Sequence, residues 1–266
     1  MKRRSGVLLH ISSLPNEEGI GTFGKEARDF VDFLASSNQT YWQILPLNQT
    51  GIGDSPYQSF STFAGNPYFI DLKTLVNEGF LGEEDIKSVS WNADRVDYEK
   101  LYKYKYPLLR KAVDSFFNKN DLDEYNLFVQ DNDWLKDYAS YMTIKRLQGD
   151  IALADFDASH KKRNQNELLD FKEYRYHVAM QFFFFKQWFS LKEYANQKGI
   201  KIIGDCPIYV SCDSADVYSN PELFMVDEEL KPTKVAGVPP DAFSSTGQLW
   251  GNPLYDWEKH KEDNYK

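Results

Sequence analysis

Cysteine is nearly absent: Cys206 and Cys212 are the only two in 266 residues. Two thiols alone make no disulfide framework, and they suit a reducing compartment. Histidine is scarce too, with four scattered residues, and neither residue type shows metal-ligand spacing. Positive charge is in the minority, since 31 Lys and Arg against 40 Asp and Glu leave a net charge of −9. A nucleic-acid partner is disfavoured, because a polyanion surface needs clustered positive charge. No apolar run approaches membrane-spanning length, and the run 6–9 behind the basic start 1–4 is too short for a signal segment. No GxGxxG follows a strand and no GKS or GKT occurs, so a phosphate cradle is not encoded. A Ser-His-Asp arrangement stays open, although there is no GxSxG elbow. The expectations are a cytoplasmic protein with no cofactor and no metal, bound to neither nucleic acid nor membrane.

What the chain does hold is pattern. The apolar run 6–11 reads as a strand buried on both faces, as in a parallel sheet. Residues 24–37 read as a helix, with Ala27, Phe30, Val31 and Leu34 on one face. A second strand is expected at 41–46, ended by Pro46. From about 74 to 198 the pattern turns helical. Leu109, Ala112, Val113 and Phe116 mark one helix, and Trp134, Leu135, Tyr138 and Met142 mark another. A third spans about 166–198 and carries Phe182 to Phe185, which must pack on several sides, with Gly199 as its stop. The charged stretch 161–163 reads as a solvated turn. A third strand follows at 200–205, and Asp205 stands at its C-terminal end, where parallel βα architectures gather ligand-facing residues. Three parallel strands do not close a barrel, which takes about eight. Either the sheet is open or the chain is a fragment.

Loops after the three strands share one chemical character. They are 12–16, 53–67, and the set formed by 205–209, 213–216 and 235–257. The stretch 235–257 is broken by Gly237, Pro239, Pro240, Gly247, Gly251 and Pro253, yet it holds Phe243, Trp250, Tyr255 and Trp257 among Asp241, Gln248 and Asn252. It reads as a long ordered loop without secondary structure, a kind that is usually functional. Flat rings beside amides and carboxylates suit a ligand with apolar faces and a hydroxyl rim, such as a sugar. A generous core also accounts for an aromatic content of 16 %, so composition alone does not choose between the two. Asp54, Asp205, Asp213, Asp216 and Asp241 all fall in these loops as candidate site carboxylates. The ordinary alternative for each is a turn or cap.

The segments GVLLHISSLP (6–15), WQILPL (42–47), GDSPYQSFSTFAGNP (53–67), GDCPIYV with SADV (204–217) and VAGVPPDAFSSTGQLWGNPLYDW (235–257) resemble the 4-α-glucanotransferase family, also called amylomaltase or disproportionating enzyme. The resemblance runs in order along the chain and is weaker through 74–198. It implies an α/β fold, here a partial (β/α)8 TIM-type barrel with a large helical inserted subdomain. Residues 1–73 would supply the first barrel units, 74–198 the helical insertion, and 199–266 the third strand and an active-site loop. It implies transfer of α-1,4-glucan segments between maltooligosaccharides by a retaining double displacement, without a cofactor. By the resemblance, Tyr57 packs on the sugar beside the cleaved bond with Ser55 near it, and Asp205 supports the site from a strand end. Asp241, Phe243, Gln248 and Trp250 line the loop over it. Ala242 and Ile52 depart from tyrosines found in other members, which puts contacts with longer glucans in question. The family's RIDHF-type, GEDLG-type and THDN-type carboxylate segments are missing. The catalytic residues are therefore expected beyond Lys266, in a missing C-terminal half of the barrel, and 1–266 alone is expected to be inactive. A non-catalytic α-glucan-binding module is the alternative.

Overall fold

The computed structural model describes residues 3–51, 53–87, 89–92, 94–118, 122–161 and 170–265. Ile52, and the parts of the expected turn and helix that fall in 162–169, lie outside them. The chain divides into two compact units, each drawn from separated stretches. The first comprises Met1–Leu47, Gly65–Asp131 and Val178–Cys206, and the second Asn48–Ala64, Asn132–His177 and Pro207–Lys266. The sequence segment 74–198 thus contributes to both.

The first unit is built on a parallel sheet of β1 (Gly6–Leu8), β2 (Tyr41–Gln43) and β3 (Lys201–Ile203), in that spatial order. Gly6 lies opposite Tyr41, and Tyr41 opposite Lys201. All three strands fall where the apolar runs predict them, but they stop earlier. After β1 the chain turns at Ile11–Ser13 into a short 3-10 helix. Connecting β1 to β2 is α1 (Lys25–Ser36), whose Ala27, Val31 and Leu34 are buried at the predicted spacing. Behind the sheet Trp42 is fully buried, its indole donating to the Leu9 carbonyl at 2.7 Å and meeting Phe30 edge-on at 5.1 Å.

Three helices follow β2 in this unit: α2 (Leu72–Asn77), α3 (Tyr98–Phe117) and α4 (Asp123–Gln130). Two more, α5 (Trp134–Leu147) and the short α6 (Ala158–Lys161), belong to the second. The long α7 (Phe171–Gln197) then leads back towards β3 and stops two residues before Gly199, whose φ of 81° continues no helix. Its four consecutive phenylalanines do pack on several sides. Phe182 meets Phe128, Phe183 meets Phe80 and Phe116, and Phe184 meets Phe23. Two buried α7 amides grip loop backbone: Gln181 bonds both the N–H and the carbonyl of Gly65, and Gln187 does the same for Asp71.

The second unit has its own core, in which Tyr138, Tyr141 and Ile144 of α5 pack with Leu153, Phe156, Val217 and Tyr218. Val217 and Tyr218 belong to α8 (Ala215–Ser219), capped by the Ser214 hydroxyl. Here one expectation is corrected. The stretch 235–257 is not without secondary structure, because β4 (Val235–Val238) and β5 (Gln248–Pro253) pair antiparallel, with an irregularity between Val235 and Gly237. A short helix α9 (Trp257–Glu262) follows, with Asp256 as its cap. Both strands are largely exposed, so no buried face imposes the apolar alternation by which a strand is recognised in sequence. Among the described residues no helix is long and apolar enough to cross a membrane.

Candidate functional site

Three segments of the second unit carry the candidate residues other than Asp205. The first, 49–60, doubles back on itself. Phe60 N–H bonds the Gln49 carbonyl, Gly51 N–H bonds the Gln58 carbonyl, and Thr50 bridges Ser59. At the tip Gly53 and Asp54 both have positive φ, 87° and 51°. The chain then closes through Gln58 N–H on the Ser55 carbonyl at 3.1 Å, while the Ser55 hydroxyl accepts from Tyr57 N–H. This turn leaves the Tyr57 ring exposed beside a half-buried Ser55. Burial pushes the Asp54 carboxyl above its ordinary pKa, against a hydrogen bond from Thr50.

The second segment is 207–216. Asp213 accepts from the Tyr141 hydroxyl at 2.6 Å, from Leu153 N–H at 2.8 Å and from the Lys145 ammonium at 2.7 Å. Lys145 also bonds the Ile151 carbonyl and stands 5.0 Å over the Phe60 ring. Burial, with Asp213 beside it, pushes the Tyr141 phenol well up. Asp216 accepts from both the amide and the hydroxyl of Thr62, at 3.0 and 2.5 Å, while burial raises its carboxyl. These two carboxylates therefore tie loops together.

The third segment is the β4–β5 hairpin. At its tip Asp241 accepts from Phe243 N–H and Ser244 N–H, both at 2.8 Å, and its own N–H bonds the Ser244 carbonyl. That geometry is a side-chain-closed turn, and it projects Phe243 into solvent at 95 % exposure. On β5 the Trp250 indole donates to the Gln248 side-chain oxygen at 3.1 Å, so ring and amide are presented as one unit.

The structure brings Trp250, Gln248 and the Tyr57 loop together, because the Gln58 amide donates to Asn252 Oδ1 at 2.9 Å and reaches the Trp250 carbonyl at 3.5 Å. Asp241 and Phe243 sit at the far tip of the hairpin. Asp205 belongs to the first unit, exposed and two residues past the end of β3. Sequence reasoning missed Tyr209. Its ring lies 6.2 Å from Trp250 and stacks on Tyr255 at 5.8 Å, and the Tyr255 hydroxyl bonds the Ile208 carbonyl. The only signal was its place in the segment after β3. Gln58 was overlooked as well, although it adjoins Tyr57. His10, just past β1, is buried with its Nδ1 accepting from Leu45 N–H, and burial lowers its pKa to about 4. Among the described residues no group of His, Cys, Asp and Glu is arranged to hold a metal ion.

Fold and site together define an α/β protein with loops after parallel strands, which offer ring faces, amides and hydroxyls rather than clustered cations. The family model described as 4-alpha-glucanotransferase matches residues 9–266, and the chain belongs to that family. It is 52 % identical to the 4-alpha-glucanotransferase of Streptococcus pneumoniae, an alignment spanning 100 % of this chain and 54 % of that protein. Against the Thermus thermophilus enzyme of the same name the identity is 46 %, over 97 % of this chain and 53 % of the relative. Among solved structures, the amylomaltase of Streptococcus agalactiae in complex with acarbose matches with a TM-score of 0.95 at 48 % identity, covering 100 % of this chain and 55 % of that one. The chain spans about half the length of the relatives it matches.

Proposed function

We propose that residues 1–266 supply glucan-binding loops of a 4-α-glucanotransferase, which moves α-1,4-glucan segments between maltooligosaccharides by a retaining double displacement. The observation that carries this reading is the joining of Trp250 and Gln248 to the loop that bears Ser55 and Tyr57, through Gln58. A ring with an amide locked to its edge suits a pyranose, which has an apolar face and hydroxyls around its rim. Phe243 and Asp241 shape the tip of the same hairpin.

The chemistry in this mechanism needs a nucleophilic carboxylate and a carboxylic acid about 5 Å apart. Three of the four candidate carboxylates in the second unit are committed elsewhere, Asp213 and Asp216 to loop anchoring and Asp241 to its turn, while Asp54 is held at its loop tip by a hydrogen bond from Thr50. On this reading the nucleophile and acid/base come from outside residues 1–266, and the three parallel strands are the first of a (β/α)8 barrel with 74–198 inserted. The sheet supports it: Leu8 and Ile203, which flank Gln43 in one register row, are 56 % and 43 % exposed, apolar side chains suited to cover by further strands. For such an enzyme to transfer rather than hydrolyse, a sugar hydroxyl must be positioned ahead of water.

Titration calorimetry of this chain with maltoheptaose tests the binding role. Saturable binding is expected, weakened by Trp250→Ala by about 2 kcal/mol, the scale of a central aromatic contact. No disproportionation of maltotriose is expected from 1–266 alone. Binding indifferent to Trp250→Ala, or glucose release by the pure chain, would overturn the respective half of the proposal.

A further inference from the structure

Asn252 is a polar side chain only 5 % exposed, two residues from Trp250. Its Nδ2 donates to the Val210 carbonyl at 2.7 Å, and its Oδ1 accepts from Gln58 Nε2 at 2.9 Å. Both amide orientations follow from chemistry. A carbonyl only accepts, so Val210 requires the NH2 group of Asn252 to face it. The oxygen left over then requires the NH2 group of Gln58, which the Trp250 carbonyl also attracts. One buried amide thus joins three segments: the strand of Trp250, the loop of Tyr57 one residue before Gln58, and the segment where Tyr209 precedes Val210. An ionised Asp at this position would lose the donor, and Leu would lose both donor and acceptor.

The hairpin needs such a hold. A two-stranded ribbon is marginal by itself in water, and four of the six β5 residues, Gln248 to Gly251, are exposed. Burial begins at Asn252 and Pro253. The Asn252 amide therefore ties the Trp250 strand to the Tyr57 loop at the point where β5 becomes buried. We propose that Asn252, with Gln58, is a positioning residue that sets the spacing between Trp250 and Tyr57 for glucan binding, a role that rests on the function proposed above.

The test combines amide hydrogen exchange with maltoheptaose calorimetry on the 1–266 chain and its variants. Asn252→Ala and Gln58→Ala should each speed exchange across 248–253, leaving β1 to β3 unchanged, and the double variant should add little. Asn252→Ala should weaken maltoheptaose binding about tenfold, the scale of one lost buried hydrogen bond. In a Trp250→Ala background the same change should cost less than about twofold, because the residue acts through Trp250. A general loss of stability would not produce that coupling. Additive losses of affinity, or unchanged exchange in 248–253, would overturn the proposal. If the wild-type chain binds no maltoheptaose while exchange responds as described, the glucan reading fails and the hold of Asn252 on the hairpin is upheld. Should Asn252→Ala fail to fold, Gln58→Ala carries the same test with the Val210 contact intact.

Discussion

The side chain of Lys105 on α3 is 0 % exposed, and its ammonium lies 2.7 Å from Glu18, itself only 13 % exposed. The ammonium also donates to the Tyr68 carbonyl at 2.8 Å, and Glu18 Oε1 accepts from Leu72 N–H at the start of α2. Burial raises the Glu18 carboxyl, Lys105 opposes that shift, and Asp71 adds to it. Lys105→Met keeps most of the volume and removes the countercharge. Losing one partner of a buried pair costs about 3–5 kcal/mol, and leaving the Tyr68 carbonyl without this donor contributes about 1 kcal/mol of it. Glu18 limits the damage by taking a proton. In the variant its folded pKa rises further above the unfolded value, so the folded state holds a proton that the unfolded chain has released. Stability then falls as pH rises through that window. The expected loss is about 4 kcal/mol at pH 7.5. At pH 5.5 it shrinks by up to about 2.7 kcal/mol, since two pH units at about 1.36 kcal/mol each are recovered. Urea unfolding followed by tryptophan fluorescence at the two pH values measures this. A second variant, Lys105→Met with Glu18→Gln, should remove the added pH slope. A Lys105→Met loss below about 1 kcal/mol, or one equal at both pH values, would refute the argument.

Two further outcomes follow from the first unit. Burial holds His10 at a pKa of about 4, so the folded state binds fewer protons than the unfolded chain between pH 6.5 and 4. Stability should fall as pH drops through that window, by up to about 3 kcal/mol, and a His10→Gln variant should lose this component in acid-limb urea midpoints. At Gly21 an added Cβ would stand 1.8 Å from the Ile11 carbonyl oxygen. Gly21→Ala must displace backbone and should cost about 3 kcal/mol, read from thermal melts by circular dichroism; an unchanged midpoint would mean the loop after β1 packs otherwise.

The elements legible in the sequence are those whose burial is periodic. Ala27, Val31 and Leu34 announce α1 because one helical face meets the core, and the parallel strands show as apolar runs closed by loops. The hairpin was not legible, since its exposed strands have no apolar face to write into the pattern. Candidate carboxylates were easy to list, but their partners were not. Tyr141 and Lys145 reach Asp213 across 72 and 68 positions, and Gln58 reaches Asn252 across 194. Nothing local in the sequence encodes such pairs. The same distance hid that Asp213 is consumed as an anchor. Family motifs reached Tyr57, Gln248 and Trp250, but they did not reveal that Gln58 and Asn252 connect them.

A common physical cause links these contacts. Loops between the strands and helices leave backbone N–H and carbonyl groups with no ladder to join, and burying them unpaired is costly. Side chains supply the partners: Gln181 for Gly65, Gln187 for Asp71, Asp213 for Leu153 and Asn252 for Val210. Each is a polar group bound to backbone far away in sequence, which fixes a loop at one point without stiffening its tip. That arrangement leaves Tyr57 and Trp250 exposed on segments whose bases are held. Losing an amide such as Asn252 therefore orphans a backbone group and frees a loop together, which is why its effect on binding should exceed that of a substitution at the exposed tip, such as Phe243→Ala.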